Sequence, residues 1–360
     1  MTSRKVSNTA SRPSVPWSTD NEPISAGSAT KNKPIPLPSP SASVILISGS
    51  NKILLLHRKK TSSSFPSAHV FPGGNLDPAD GEVPPSATDP ARHQDSLAYR
   101  TAAIRELFEE SGVLLAREKD EPGQPLLSLD PDTRLAGRDD VHGGKVSLQD
   151  WLKRQSSTAV LDTEPLIPFT HWITPTNVPK RFTTQMYVYF VPITDRRRNL
   201  LATADQVETM TPEWLKASTW TKRADAGEII LFPPQYILLH LIAGFLDKAD
   251  DPAEGREVPE EERERRREQL RKFMLEDSSP VPWTHKFISP QPMKQKWHDG
   301  RNVLVLDKLG PELQGSNLKG DTSRVVLVRF SKEGPREVEV QDRAEVEKEL
   351  QKLAAQQSKL

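Results

Sequence analysis

Nine consecutive residues, Arg105-Glu106-Leu107-Phe108-Glu109-Glu110-Ser111-Gly112-Val113, constrain this chain more than any other stretch. At about 100° of rotation per helical residue, Glu106, Glu109 and Glu110 share one sector of a helix surface, roughly 100° wide. Leu97, Ile104 and Phe108 fall on the opposite side, which predicts a buried apolar stripe with the carboxylates facing outward together. Glu106 and Glu110 are like charges one turn apart, a pairing that costs roughly 0.3 kcal/mol on a bare helix. Arg105 has the spacing to offset Glu109 and leaves the other two without a counter-charge. A hard divalent cation would supply one, since Mg²⁺ takes oxygen ligands and binds through one or two carboxylates plus substrate phosphates. A solvated acidic face is the plainer alternative for such a patch.

Two flanking features add to the first reading. Phe71-Pro72-Gly73-Gly74 is a tight turn that lets backbone come close to a ligand. Gly112 is suited to ending the helix. Arg-Glu-Leu-Phe-Glu-Glu-Ser-Gly-Val resembles the second half of the Nudix box, and Phe-Pro-Gly-Gly resembles its opening. That resemblance implies an α/β (α+β) Nudix fold, a mixed β-sheet sandwiched between helices, here with loop insertions and a small C-terminal β appendage.

Composition sets outer limits. With 360 residues at 35% hydrophobic content, the chain can bury one good core and a second small one. The 49 basic and 49 acidic residues cancel, so no global field recruits nucleic acid or an anionic membrane. The absence of cysteine excludes disulfides, thiolate zinc sites and cysteine nucleophiles. No apolar run approaches the roughly 20 residues needed to span a bilayer. The 32 prolines and low mean hydropathy point to long segments outside any core.

Residues 1–42 read as a disordered N-terminal segment; Arg4, Lys5 and Arg12 hint at a mitochondrial transit peptide, but Pro13, Pro16 and Pro23 interrupt any amphipathic helix. Residues 43–247 read as the main domain. Within it, Val44–Ile47 and Ile53–Leu56 form a hairpin across Gly49-Ser50-Asn51, followed by the cations His57-Arg58-Lys59-Lys60. Insertions are expected at about 81–95, where Pro84, Pro85 and Pro90 mark loop, and at 117–165, with one short helix from Ser147 to Leu152. Because the first insertion stretches the box, its early acid is either Asp80, at the standard spacing, or Glu82, of the standard type. Asp95 or Ser96 then caps the restarted helix.

Met186–Ile193 alternates as a strand. Thr211-Pro212-Glu213 reads as a helix start leading to Trp220, and Tyr236–Leu246 as a strongly apolar helix. Residues 248–280 read as a charged, exposed helix or linker, 281–335 as the β appendage, and 336–360 as a C-terminal helix and tail. The chain ends in Ser358-Lys359-Leu360, the peroxisomal import tripeptide, which implies an import receptor as partner and the peroxisome, rather than the mitochondrion, as address.

Within the Nudix family, four stretches resemble the peroxisomal and mitochondrial (acyl-)coenzyme A diphosphatases. They are the run Leu54 to Gly74, the interrupted box, Trp172–Pro175 with Pro179–Phe182, and Leu231–Gln235. The subgroup often has an acid after Arg-Phe, and this chain has Thr183 there. The implied reaction is hydrolysis of the diphosphate of coenzyme A or acyl-CoA to 3′,5′-ADP and (acyl-)4′-phosphopantetheine. A pyrophosphatase acting on NADH, ADP-ribose or another nucleoside diphosphate derivative is the alternative. The resemblance implies Mg²⁺ or Mn²⁺ on Glu106 and Glu110, with Glu109 as a further ligand or the water-activating base. Arg105 orients a glutamate, Gly73 and Gly74 approach the substrate, and Arg181 is the candidate phosphate clamp. His57, His69 and His171 read as packing or hydrogen-bonding residues, because hard cations prefer oxygen.

Overall fold

The computed structural model describes residues 35–58, 67–119, 126–193, 211–249, 251, 258–276 and 279–357. The N-terminal residues 1–34, Lys59 and Lys60 of the basic run, and Ser358, Lys359 and Leu360 lie outside the described residues.

The frame is a mixed sheet covered by helices on both faces. Strands β1 (Ser39–Ile47) and β2 (Ile53–His57) form the expected hairpin; short strands β3 (His69–Val70) and β4 (Gly73–Asn75) follow it. β4 pairs with the start of β1, which puts Gly73 opposite Ser43 and Gly74 opposite Ala42. Helix α1 (Leu97–Ser111) comes next, then β5 (Ala116–Glu118), α2 (Pro131–His142), α3 (Leu148–Gln155) and β6 (Ala159–Leu161). β5 and β6 pair as a separate ribbon. Strands β7 (Ile167–Ile173) and β8 (Phe182–Phe190) are antiparallel neighbours, and β8 runs parallel to β1 along its whole length.

Period-two alternation distributes the two cores. Val44, Leu46, Leu54, Leu56, Tyr187 and Tyr189 face α1, where they meet Ile104, Leu107 and Phe108. Ile45, Ile47, Ile53, Leu55 and Val188 face the other way, toward Ile237, Leu238 and Ile242 of the apolar helix that follows later in the chain. All of these side chains are essentially removed from water. One expectation for α1 fails: Leu97 is 67% exposed. It is the first residue of the helix, ahead of the turn where α1 meets the sheet, so the buried stripe is carried by Ala103, Ile104, Leu107 and Phe108.

Two further expectations are corrected. Thr211-Pro212-Glu213 does not start a helix: strand β9 (Thr211–Leu215) pairs along β2, and helix α4 (Ala217–Asp225) begins after it. The pairing with β2 overrides a locally helical signal, and the strand lies at the sheet edge, where proline is tolerated. Helix α5 (Pro233–Leu246) then covers the second face.

The charged segment is not an exposed helix. In α6 (Glu260–Glu276), Arg263, Arg266, Arg267, Leu270 and Met274 are buried. Arg267 Nε donates to Asn51 Oδ1 at 2.7 Å and Nη1 to the Val191 carbonyl at 2.8 Å, and Nη2 reaches the Ser48 carbonyl. Asn51 is the left-handed residue of the β1–β2 turn, φ 61°. The stems of Arg266 and Arg267 stand in for an apolar stripe while their heads satisfy backbone acceptors.

After strand β10 (Phe287–Ile288), the C-terminal part forms a separate four-stranded sheet of β11 (Gln291–Pro292), β12 (Asn302–Leu306), β13 (Asp321–Ser331) and β14 (Gly334–Asp342). Strand β10 instead extends the main sheet beside β7. Leu304, Leu306, Val326 and Val328 join the α5-side core. Val303, Val305, Val325 and Leu327 pack against Val346 and Leu350 of helix α7 (Arg343–Gln357). The last hairpin therefore carries this sheet past residue 335, and one face of it belongs to the main core.

Arg267→Met keeps the stem and removes the three donations that tie α6 to the β1–β2 turn and to the residue after β8. The expected loss is about 2–4 kcal/mol, since buried acceptors lose their partners. A urea midpoint equal to that of the unaltered protein would show that α6 is held by packing alone.

Candidate active site

The site forms where the last turns of α1 meet the β4 backbone. Gly112 adopts the left-handed conformation, φ 72°, and its N–H returns to the Phe108 carbonyl at 2.8 Å, which closes the helix directly after the acidic turn. The expected outward-facing trio is corrected: the Glu106 and Glu109 side chains are only 14% and 10% exposed, and Glu110 is enclosed further. It is 5% exposed, and its Oε2 accepts from the Gly73 N–H at 2.8 Å. Gly73 has no room for a side chain, since a Cβ there would collide with Ala42 O and Ser43. A Cβ on Gly74 would lie 2.5 Å from the Glu106 carboxyl carbon. Gly74 is thus required by close approach of backbone to a carboxylate, and Gly73 by close approach to the neighbouring strand β1.

Arg105 sits at the centre. Its Nε donates to Asp80 Oδ1 at 2.9 Å and its Nη2 to Asp80 Oδ2 at 2.8 Å, a bidentate fork, with a further bond from Nη2 to the Asn75 carbonyl at 2.7 Å. Nη1 is shared between Glu106 Oε1 and Glu109 Oε1, both at 2.9 Å. The expectation that Arg105 offsets Glu109 alone is corrected, because adjacent Glu106 bends back to the same nitrogen. Asp80 is buried and ends a short 3₁₀ turn, Pro78–Asp80, whose capping box with Asp77 fixes its carboxylate. Glu82 is exposed. Of the two acids left open by the sequence, Asp80 is the one joined to Arg105.

The electrostatics are unbalanced. Asp80, Glu106 and Glu109 share one guanidinium, and Glu110 on the same turn is met by the Gly73 N–H. Burial, with Glu109 and Asp80 acting in the same direction, pushes the Glu106 carboxyl up to about 7 despite the opposing effect of Arg105. Arg105 itself is held in its charged form by Asp80, Glu106 and Glu109 against the effect of burial.

Two residues of the second insertion reach this site, and sequence reasoning missed both. Arg138 on α2 donates from Nε to the Glu109 carbonyl and from Nη2 to the Glu110 carbonyl, each at 2.6 Å. His142, at the end of the same helix, sets its Nδ1 3.2 Å from Glu109 Oε2. The segment read as loop, and its helix is capped by Asp130, whose side chain accepts from the Thr133 N–H. The Asp-Pro step at 130–131 was the available signal.

Arg181 is a correction. It is 2% exposed, and its guanidinium is paired with both oxygens of Glu312 while Nε and Nη1 donate to the carbonyls of Thr174 and Pro36. An arginine so enclosed joins β8 to the C-terminal part of the chain and does not clamp a phosphate. His171 is fully buried between Thr183 Oγ1 and Gln185, and His57 stacks on His69 with ring centroids 4.4 Å apart.

Whether the donors suit a metal is decided by their chemistry. The acids are all carboxylates, the kind of donor a hard cation takes, and the buried Glu106 lacks a full counter-charge. Among the described residues, no three His, Asp or Glu side chains converge closely enough to hold an ion as they stand. Arg105 orients Glu106 and Glu109, His142 engages the second oxygen of Glu109, and the Gly73 N–H holds one oxygen of Glu110. The residues fit a divalent cation in type and charge, with a closer convergence of their oxygens as what binding would add.

Comparison with known proteins adds a second line. A family model described as the NUDT19 Nudix domain matches residues 84–241, which include α1 and α2. The chain is 31% identical over 195 residues to "Putative nudix hydrolase 7" of Caenorhabditis elegans, covering 54% of this chain and 57% of that protein. It is 30% identical over 244 residues to "Acyl-coenzyme A diphosphatase NUDT19" of Homo sapiens, covering 55% of this chain and 62% of that protein. The chain thus spans about 60% of the length of these curated relatives. Among solved structures, a NUDIX hydrolase from Alicyclobacillus acidocaldarius aligns with a TM-score of 0.45 at 22% identity, over 57% of this chain and 90% of that one.

The Asp80–Arg105 fork generates a direct test. Asp80→Asn halves the fork's charge inside the protein and is expected to cost about 2 kcal/mol. Glu82→Gln is expected to leave the unfolding midpoint where it was. Equal midpoints for all three proteins in a urea titration would remove Asp80 from the site's foundation.

Proposed function

We propose that the chain is a Nudix hydrolase and that it hydrolyses the diphosphate bond of coenzyme A and acyl-CoA, releasing 3′,5′-ADP and (acyl-)4′-phosphopantetheine. The observation that carries this reading is the Glu106–Glu109–Glu110 turn docked on the Gly73–Gly74 backbone. The substrate class is supported by the 30% identity to the human acyl-coenzyme A diphosphatase.

A divalent cation, Mg²⁺ or Mn²⁺, would be held by Glu106 and Glu110, where it would neutralise charge on the phosphoryl oxygens and acidify an attacking water. Arg105 orients Glu106 and Glu109 through one shared nitrogen. Glu109 serves as a further ligand or as the group that takes the proton from water. The Gly73 N–H holds Glu110 in place, so the contribution of Gly73 to substrate binding is through close backbone approach and not through that donor. The proposed address is the peroxisome, read from Ser358-Lys359-Leu360. A fluorescent fusion with and without that free tripeptide checks it, and diffuse signal in both would dismiss it.

Mass spectrometry of the products formed from coenzyme A with Mg²⁺ or Mn²⁺ tests the reaction. Turnover of NADH or ADP-ribose without turnover of coenzyme A would replace the proposed substrate. Glu110→Gln is expected to slow the reaction by at least about 100-fold, as does loss of a group that stabilises developing charge. A rate like that of the unaltered enzyme would remove Glu110 from the mechanism.

A further inference from the structure

Residues 117–165 lie between the acidic helix and the next core strand, and their helices meet that helix at its functional end. α2 is held there from both sides. Gly137 faces Trp151 of α3 so closely that a Cβ would land on the indole, and Trp151 packs on Phe108 of α1 with ring centroids 5.0 Å apart. This arrangement aims residue 138 and, one turn later, residue 142 at the same turn of α1.

The acceptors there have a specific need. The last carbonyls of a helix have no partner within it, and a cation is favoured at that end. Ser111 Oγ satisfies the Leu107 carbonyl at 2.7 Å and Gly112 N–H the Phe108 carbonyl. The next two carbonyls belong to Glu109 and Glu110, and Arg138 takes both. A single planar group, 3% exposed, therefore fixes the backbone from which both carboxylates extend. His142 adds a side-chain contact to the Glu109 carboxylate beside that of Arg105. Its Nδ1 faces a carboxylate oxygen, so it donates. Glu109 Oε1 goes to Arg105 and Oε2 to His142, which sets the rotation of the carboxylate as well as its place.

We infer that Arg138 and His142 are positioning residues of the cation-binding turn, and that the second insertion is a working part of the site. Arg138 fixes the main chain of Glu109 and Glu110, and His142 fixes the Glu109 carboxylate. This rests on the proposed metal-dependent hydrolysis. Partners that orient metal ligands generally change metal affinity or activity by about 10–100-fold when removed.

The test uses the full chain and titrates Mn²⁺ by electron paramagnetic resonance, alongside kcat and KM for coenzyme A and the melting temperature. His142→Ala is expected to weaken Mn²⁺ binding or lower kcat by about 10-fold or more. KM and the melting temperature should stay close to those of the unaltered protein. His142→Asn, whose amide N–H can take the place of Nδ1–H, is expected to recover most of that loss. Arg138→Met is expected to show the same defect more strongly; because Arg138 is buried, His142→Ala decides if that variant does not fold. Mn²⁺ binding and kcat within about two-fold of the unaltered protein in His142→Ala would overturn the inference while leaving the hydrolase reading intact, provided Glu110→Gln abolishes binding. No Mn²⁺ bound by the unaltered protein would overturn both. A purely structural role would lower the melting temperature without recovery by Asn, and that pattern would overturn the inference too.

Discussion

The site depends on one guanidinium placed among too many carboxylates. Arg105 is anchored on Asp80 and the Asn75 carbonyl, and with its remaining nitrogen it gathers Glu106 and Glu109. Without that anchor the two glutamates would separate by repulsion, because like charges a turn or less apart on a helix are unfavourable. With it they are brought together, and burial, aided by Glu109 and Asp80, still keeps the Glu106 carboxyl raised against Arg105. The protein therefore holds a concentrated negative charge in a half-buried place, which is a destabilising arrangement for the apo chain and a favourable one for a cation. Local strain of this kind belongs at functional sites, where the surrounding fold over-determines it.

The two insertions are built into the molecule by different chemistry. The first is pinned by His93, whose ring bonds Thr183 Oγ1 at 2.6 Å and the Ala87 carbonyl at 2.7 Å. Thr183 also meets His171 at 2.6 Å. This position is the one at which the resemblance leads one to expect an acid, and the structure explains what a threonine does there. Burial pushes both His93 and His171 below the ordinary histidine range. A neutral hydroxyl between two neutral imidazoles avoids a buried charge that neither ring would balance. The second insertion is instead fixed by a charged group, Arg138, against the negative end of α1.

How far the sequence revealed this depends on where the buried surface is apolar. α1 was legible because Ile104 and Phe108 recur at helical spacing and Gly112 marks the end. The β1–β2 hairpin was legible because four consecutive aliphatic residues face two cores on alternate sides. The burial of α6 was not, since its inner face carries arginine, a residue that composition rules place outside. α2 was hidden for the same reason: its buried residues are Gly137, Arg138 and Val141. Arg181 misled in the opposite sense. A cation next to an aromatic strand resembles a ligand-binding group, and only the arrival of Glu312 from far along the chain shows it to be internal. Pairings between such distant residues leave no periodic trace.

That last pair bears on why the C-terminal sheet is not a detachable appendage. Arg181 and Glu312 are both buried, and a buried ion pair adds little net stability compared with apolar residues of similar size. Its consequence lies in what happens when it is separated. Undocking the C-terminal segment would leave an unpaired carboxylate and an unpaired guanidinium inside the protein, together with the exposed faces of Leu304, Leu306, Val326 and Val328. The apolar face supplies the driving force for docking, and the pair selects its register. The same pairing seats β8 beside β1, whose first residues carry Gly73 and Gly74 through β4. The C-terminal segment is thus coupled to the backbone on which the acidic turn rests.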